Sequence, residues 1–303
     1  MKLLVCDALS DNAVNGLKNI KGLEVTVKTG LNPEELKEVI KDQNIAIVRS
    51  ATKIRKDIID AAPELKLVIR GGVGVDNIDV EYAKSKNISV RNTPGASSNS
   101  VAELALGMMF AISRDLYTST NSMKNSKWEK KKFNGFELAG KTLGIIGCGK
   151  IGQSLAKKAI ALGMNAIGFI RSPKPAIEGL EYTTSLDELL KKSDFISIHT
   201  PFVKEVGPLL KKEQFCKMKE GVCIVNCSRG GVVCEKDLLE ALNKGQVQAC
   251  GIDVFEKEPT GNTELLEHER VIVASPHIGA QTREGQDRVG DEIVEIVQEF
   301  MNA

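Results

Sequence analysis

The stretch TLGIIGCGKIGQSLAKKAIALG, residues 142–163, sets Gly147, Gly149 and Gly152 directly after a strand-like run and at the opening of a helix-like one. In that context each glycine has a task. Gly147 allows a tight turn, Gly149 lets the backbone approach a pyrophosphate, and Gly152 lets the helix pack close to the strand. The unpaired N–H groups at the helix start, those of Lys150 and Ile151, then face the phosphates at the positive end of the helix dipole. A tight turn with no ligand is the competing reading, and the strand–turn–helix context weighs against it.

The chain has three histidines, which narrows the choice of proton donor. His277 lies in VASPHIGAQT, at a strand end followed by glycine. His199 ends FISIHTP and reads either as a site residue or as a hydrogen-bonded core histidine. His268, in LLEHER, reads as surface. NCSRGG puts Arg229 just past a buried strand, and GIDVFEKEP puts Asp253 and Glu258 just past another. Taken singly, each reads more readily as structural than catalytic. Together, at the C-terminal ends of strands beside a dinucleotide loop, they describe a cleft able to hold an anion and move a proton.

A dinucleotide fold usually carries an acid about twenty residues beyond the glycine loop, where it binds the free ribose hydroxyls. Here a strand expected over Asn165–Ile170 runs into GFIRSPKP, which offers Ile170, Arg171 and Ser172 instead. A carboxylate repels a 2′-phosphate, whereas a guanidinium pairs with one bidentately. The pattern allows NAD or NADP and favours tolerance of NADP. A solvated basic loop is the alternative.

These residues need a scaffold, and the chain repeats one unit: a Val/Ile-rich run, a turn, then an amphipathic segment. KLLVCD, EVTVK, IAIVRS, KLVIRG and ISVRN read as the strands of the first half, with PEELKEVIKD and KDIIDAAPEL among its helices. Runs apolar throughout and separated by helices indicate parallel strands covered on both faces. One long helix is expected from Ser100 to Ser126, with Ser100 and Glu103 at capping-box spacing. The pattern restarts at Lys141 with about six strands, and an amphipathic helix over Thr282–Phe300 closes the chain. The expectation is an α/β protein of two doubly wound parallel-sheet domains with a cleft between them. The substrate-binding domain is discontinuous, 1–97 plus 283–303, and the dinucleotide-binding domain spans 98–282.

The composition agrees. At 303 residues, 42% hydrophobic and 27% charged, with a formal charge of +1, the chain has ample core and no electrostatic reason to bind nucleic acid or membrane. No apolar run approaches the ~20 residues of a membrane span, and MKLLVCDALSDN turns polar early for a signal peptide. Seven scattered cysteines without a CxxC pair argue for reduced, buried thiols and no metal site. A cytoplasmic location is expected.

The motifs VRSATKI, RGGVGVDNID, RNTPG, SVAELALGMM, KWEKKKFNGFELAGKTLGIIGCGKIG, HTP, NCSRGGVV, GIDVFEKEP and PHIGAQT, in this order and nearly end to end, resemble the D-isomer-specific 2-hydroxyacid dehydrogenases. That resemblance implies a flavodoxin-like substrate domain and a Rossmann dinucleotide-binding domain. It makes Arg229 the group that holds the substrate carboxylate and polarises the carbonyl, His277 the acid/base, and Glu258 its partner. Asp253 would lie against the nicotinamide, with His199, Thr200, Pro201, Cys227, Ser228 and Gly279 lining the cofactor. RSATK and KWEKKKF are similar to members acting on a phosphorylated 2-hydroxy acid. They imply a phosphate pocket of Arg49, Ser50, Arg70, the N–H groups of Val73 and Gly74, and Lys130 or Lys131 delivered by the partner subunit of a homodimer built on the dinucleotide-binding domain.

The missing ribose acid departs from the family's usual NAD pattern. The chain also stops soon after the closing helix, so the serine-binding regulatory domain of longer members, and inhibition through it, are expected to be absent. Two further readings stay open. One is an NADPH-preferring glyoxylate or hydroxypyruvate reductase, which has little use for Arg49, Arg70 and Lys130 together. The other is a nucleotide-sensing, corepressor-like binding protein, which would not need Arg229, Glu258 and His277.

Overall fold

The computed structural model describes residues 1–302. Along the chain run β1 (Lys2–Val5), α1 (Asp11–Lys18), β2 (Glu24–Val27), α2 (Pro33–Ile40), β3 (Ile45–Val48), α3 (Lys56–Asp60), β4 (Leu67–Arg70), α4 (Val80–Ser85) and β5 (Ser89–Asn92). Then come α5 (Ser98–Arg114), α6 (Leu116–Lys124), β6 (Thr142–Ile146), α7 (Lys150–Ala161), β7 (Asn165–Phe169), β8 (Leu180–Thr183), α8 (Leu186–Lys192) and β9 (Phe195–Ile198). The last third holds α9 (Lys212–Phe215), β10 (Val222–Asn226), α10 (Glu235–Asn243), β11 (Val247–Ile252), α11 (Glu264–Glu267), β12 (Val271–Ala274) and α12 (Arg283–Asn302). Two compact units form: Met1–Ser98 with Ala280–Ala303, and Asn99–Gly279.

The first unit is a five-stranded parallel sheet in the order β2-β1-β3-β4-β5, the flavodoxin-like arrangement. Strand side chains alternate between faces, so each apolar strand feeds two cores. Leu3 and Val5 of β1 and Ile45 and Ile47 of β3 pack on one face with Val289, Ile293 and Val297 of α12. Leu4, Cys6, Ala46 and Val48 pack on the other with Leu36, Ile40 and Ile58. The closing helix thus completes the sheet begun at the N-terminus. It lies close on α1 because Gly290 has no side chain: a Cβ there would sit 2.5 Å from Ala13 Cβ.

The second unit is a seven-stranded parallel sheet in the order β12-β11-β10-β9-β6-β7-β8. The three strands β8, β7 and β6 on one side of the first crossover and the rest on the other give the Rossmann order, extended by one strand. Cys223 and Val225 of β10 face a core with Met108, Met109 and Leu155, and Val222 and Ile224 face another with Leu189, Phe215 and Leu242. No helix among the described residues is long and apolar enough to cross a membrane.

Four expectations need correcting. The second unit has a seventh strand, β8, a four-residue edge strand whose sequence LEYT carries little apolar signal. The long helix is two helices, α5 and α6. Asp115 turns left-handed (φ 47°), and the Ser113 carbonyl, which a continuing helix would use, accepts instead from the Phe136 N–H at 2.9 Å. Ser100 is not a cap, because a turn at Gly95–Ser98 starts α5 at Ser98, and Glu103 accepts from Asn99 Nδ2 at 2.8 Å. Finally, β7 ends at Phe169, although the Ile170 N–H still donates to Thr183 O at 2.9 Å.

Candidate active site

The glycine loop between β6 and α7 has the geometry its spacing predicts. Gly147 takes φ 103°, and a Cβ there would lie 2.6 Å from the His199 carbonyl oxygen. At Gly152 a Cβ would lie 2.3 Å from Gly147 O, so helix and turn touch through bare backbone. Gly149, the N-cap of α7, has nothing within 4 Å of that position and is exposed, as is Lys150. The start of α7 therefore presents uncovered N–H groups, and this cradle fits a pyrophosphate. Beyond β7, Ile170 packs against the core while Arg171 and Ser172 are exposed.

His199 backs the glycine turn with its main chain and Thr200 with its side-chain methyl, not with ring or hydroxyl. The His199 Nε2 sits 2.8 Å from Ser197 Oγ, and its Nδ1 is buried without a partner. Burial pushes its pKa down to about 4, so the ring is neutral near pH 7. The Thr200 hydroxyl is likewise buried without a partner, and Pro201 is exposed.

Arg229 stands on a loop organised by Asn226, the last residue of β10. The Asn226 Oδ1 accepts from the Ser228 N–H at 3.1 Å and its Oγ at 2.7 Å, while its Nδ2 donates to Arg229 O at 3.3 Å. The guanidinium donates to Ser228 O at 2.8 Å. Cys227 is buried with Sγ 3.7 Å from Met108 Sδ, and burial holds its thiol protonated.

Asp253 follows β11 and is 1% exposed. Its Oδ1 accepts from Ser275 Oγ at 2.6 Å and from Ile278 N at 2.8 Å, and its Oδ2 from Gly279 N at 2.8 Å. One carboxylate thus shapes the whole 275–279 loop. Within that loop His277 adopts φ 55°, with its N–H shared between Asp253 O at 2.8 Å and Ser275 O at 3.0 Å. A histidine held in the left-handed region is uncommon outside sites that over-determine it. Its Nδ1 meets Glu258 Oε2 at 2.8 Å, and Glu258 Oε1 accepts from the Phe255 N–H at 3.0 Å. Both side chains keep over a third of their surface open, 39% and 37%.

Arg49, Ser50, Arg70, Val73 and Gly74 all belong to the first unit. The Arg49 backbone N–H is held by Asp7, and Asn77 Nδ2 donates to Arg49 O at 2.8 Å. Its guanidinium is half-buried, with Nε lacking any partner and NH1 donating weakly to Ala8 O at 3.4 Å. Desolvation presses its pKa below the usual arginine value. The Arg70 guanidinium folds over Gly72 (φ 143°), where a Cβ would lie 1.5 Å from NH1. Gly72 thus leaves room for that arginine beside Val73. Lys130 and Lys131 are exposed on a 3₁₀ turn in the second unit, whereas Lys132 pairs with Glu129 at 2.6 Å.

The structure brings His277 and Glu258 into contact and ties Asp253 to the His277 loop. It assembles Gly147, Gly149, Lys150, Ile151 and Gly152 at one helix start. Sequence reasoning missed Asn226, Ser275, Asp7 and Asn77, which hold the functional loops. Asn226, Asn77 and Ser275 lie inside the motifs NCSRGG, RGGVGVDNID and VASPHIGAQT, and Asp7 ends the strand run KLLVCD; that proximity is the available signal. Among the described residues, no group of three or more His, Cys, Asp or Glu could hold a metal.

Residues 106–279 match the model of the D-isomer specific 2-hydroxyacid dehydrogenase NAD binding domain. A D-3-phosphoglycerate dehydrogenase of Methanocaldococcus jannaschii is 45% identical over 99% of this chain and 57% of its own length. The chain therefore spans little more than half of that relative. A hydroxypyruvate reductase of Thermotoga maritima is 48% identical over 96% of this chain and 95% of its own. The solved D-lactate dehydrogenase of Aquifex aeolicus, complexed with NAD and lactic acid, superposes with a TM-score of 0.87 at 29% identity, covering 99% of this chain and 95% of that one.

Proposed function

The chain belongs to the D-isomer-specific 2-hydroxyacid dehydrogenase family, and on that premise we propose that it oxidises D-3-phosphoglycerate to 3-phosphohydroxypyruvate, the entry step of phosphorylated serine biosynthesis. The nicotinamide dinucleotide supplies the hydride acceptor when bound, held at the start of α7 by the glycine loop. His277 takes the proton of the substrate hydroxyl. The Glu258 carboxylate accepts the Nδ1–H, which leaves Nε2 as the basic nitrogen and stabilises the charge the ring takes up. In the reverse direction the same nitrogen returns the proton to the oxygen that receives it. Arg229 holds the substrate carboxylate and polarises the carbon–oxygen bond. Asp253 fixes the loop that aims His277 and would, in this reading, lie beside the nicotinamide when the cofactor is bound.

The observation that carries the phosphorylated substrate is Arg49, a half-buried guanidinium that forms no ion pair among the described residues and keeps an unpartnered Nε. Asp7, which accepts from the Arg49 backbone N–H, offsets part of the cost of burying this charge, and an anionic ligand would give the guanidinium the direct partner that its Nε lacks. In this reading Arg49 and Arg70, with Ser50 and the N–H groups of Val73 and Gly74, receive the phosphate. Lys130 or Lys131 of a partner subunit completes the pocket. A homodimer through the dinucleotide-binding domain is supported by the exposed Tyr117, Met123 and Trp128, at 67%, 54% and 79%. Substituting Arg49→Gln should raise KM for 3-phosphohydroxypyruvate about tenfold or more while KM for unphosphorylated hydroxypyruvate stays within about twofold. Equal effects on both substrates would remove the phosphate role.

A second reading is a hydroxypyruvate reductase that prefers NADPH; its reductase part is favoured by the Thermotoga relative, which this chain matches over almost its whole length. The exposed Arg171 and Ser172, in the stretch after β7 that this reading assigns to the 2′ end of the cofactor, fit the NADPH preference, and they support acceptance of NADP beside NAD in either reading.

A further inference from the structure

The loop after β10 and the loop after β11 are fastened to each other twice. The first fastening is main chain on main chain. A Cβ on Gly230 would lie 1.7 Å from the Phe255 carbonyl oxygen and 2.9 Å from Glu256 N, so only a residue without a side chain lets the strands of loop touch there. The second is a reciprocal pair of side chains. The N–H of Glu235, which opens α10, donates to Glu256 Oε1 at 2.9 Å, and the N–H of Glu256 donates to Glu235 Oε1 at 2.6 Å.

The second fastening replaces something local. The N-cap of α10 is Cys234, which makes no side-chain capping bond. Helix starts need acceptors for their first N–H groups, and Ser, Thr, Asp or Asn usually provide one from the N-cap itself. Here the acceptor comes from a different loop, twenty-one residues along the chain. Two carboxylates that approach each other repel, and burial already raises the Glu235 pKa. Each is offset by a backbone donor, and for Glu256 that donor lies at the positive end of α10.

The two loops joined this way are the ones the proposed reaction uses. Arg229 immediately precedes Gly230. Glu258 follows Glu256 by two residues, accepts from the Phe255 N–H at 3.0 Å, and meets His277 at 2.8 Å. We propose that Glu235 and Glu256 are positioning residues whose reciprocal latch holds the Arg229 loop in register with the Glu258–His277 pair. The inference rests on the dehydrogenase reading above. Glu256 supplies only an acceptor oxygen, so its charge is dispensable and its reach is not.

The test compares E256A and E256Q with the wild type. E256A should lower kcat/KM for 3-phosphohydroxypyruvate about tenfold through misplacement of Arg229, with KM for the reduced cofactor within about twofold of wild type. E256Q keeps the acceptor oxygen and should restore most of the loss. Hydrogen exchange should rise together in residues 228–235 and 253–258 of E256A. E256D, one methylene short, should give the same pattern and serves if E256A does not fold. The proposal is overturned if E256A matches wild type, if E256Q is as poor as E256A, or if substrate and cofactor parameters fall in parallel. Failure of the dehydrogenase reading looks different: the wild type itself would turn over no 2-keto acid. The exchange data then decide the latch alone, and exchange rising in only one of the two loops rejects it.

Discussion

Glu258 Oε2 lies 2.8 Å from His277 Nδ1 while Glu258 Oε1 is held by the Phe255 N–H at 3.0 Å. The carboxylate is thus oriented by the backbone before it orients the imidazole, and the imidazole sits on a residue at φ 55° that Asp253 and Ser275 keep in place. The pair is fixed from both ends. Glu258→Gln tests its polarity. The amide oxygen can keep the Phe255 bond, which turns the NH₂ toward Nδ1 and moves the ring proton to Nε2, the nitrogen the reaction needs unprotonated for oxidation. Turnover in the oxidative direction should fall by ~10² or more, with cofactor affinity retained in a fluorescence titration. Near-normal turnover would show that the contact only packs.

Asp253 makes a separate prediction. It is 1% exposed and meets three donors with two oxygens. In Asp253→Asn one oxygen becomes an NH₂ group that faces a backbone or hydroxyl donor. The variant should lose roughly 1–3 kcal/mol of stability and lose activity with it, since the 275–279 loop carries His277. Thermal unfolding read beside kcat checks both. Unchanged melting with lost activity would instead assign Asp253 to the cofactor alone.

Much of this arrangement is legible in the residues themselves, for a physical reason. Strands buried on both faces read as unbroken apolar runs, as in IAIV and VCIVN, and a phosphate-binding turn needs glycines at fixed positions. Site residues follow strands at their C-terminal ends, so locating Asn226 or Ile252 also locates Arg229 and Asp253. Other features depend on partners far along the chain. β8 is defined by its pairing with β7 and by Leu180 packing into the core beside α7, and nothing in LEYT demands a strand. The break at Asp115 arises because Phe136 takes the Ser113 carbonyl, which helical periodicity across 100–126 does not register. Asn77 and Ser275 are ordinary polar residues until the fold brings Arg49 and Asp253 to them.

His199 predicts a pH effect on stability rather than on catalysis. Its folded pKa, about 4, lies below the ordinary histidine value of 6.5. Below pH 6.5 the unfolded chain binds a proton that the folded chain refuses, so this residue's contribution is complete above pH 6.5 and is lost as the pH falls toward 4. The slope from one such group is at most about 1.4 kcal/mol per pH unit. His199→Asn should flatten the stability profile between pH 6.5 and 4 relative to wild type in denaturant titrations. An unaltered slope would mean the ring titrates freely.

The central claim, oxidation of a phosphorylated D-2-hydroxy acid, is tested most directly by initial rates in the reductive direction. The measurement compares 3-phosphohydroxypyruvate, hydroxypyruvate and glyoxylate, each with NADH and with NADPH. With a cationic pocket at Arg49 and Arg70, kcat/KM for 3-phosphohydroxypyruvate should exceed the other two by about tenfold or more, with measurable rates for both cofactors. Equal or higher kcat/KM for hydroxypyruvate or glyoxylate would contradict the assignment and make the enzyme a reductase of small unphosphorylated acids.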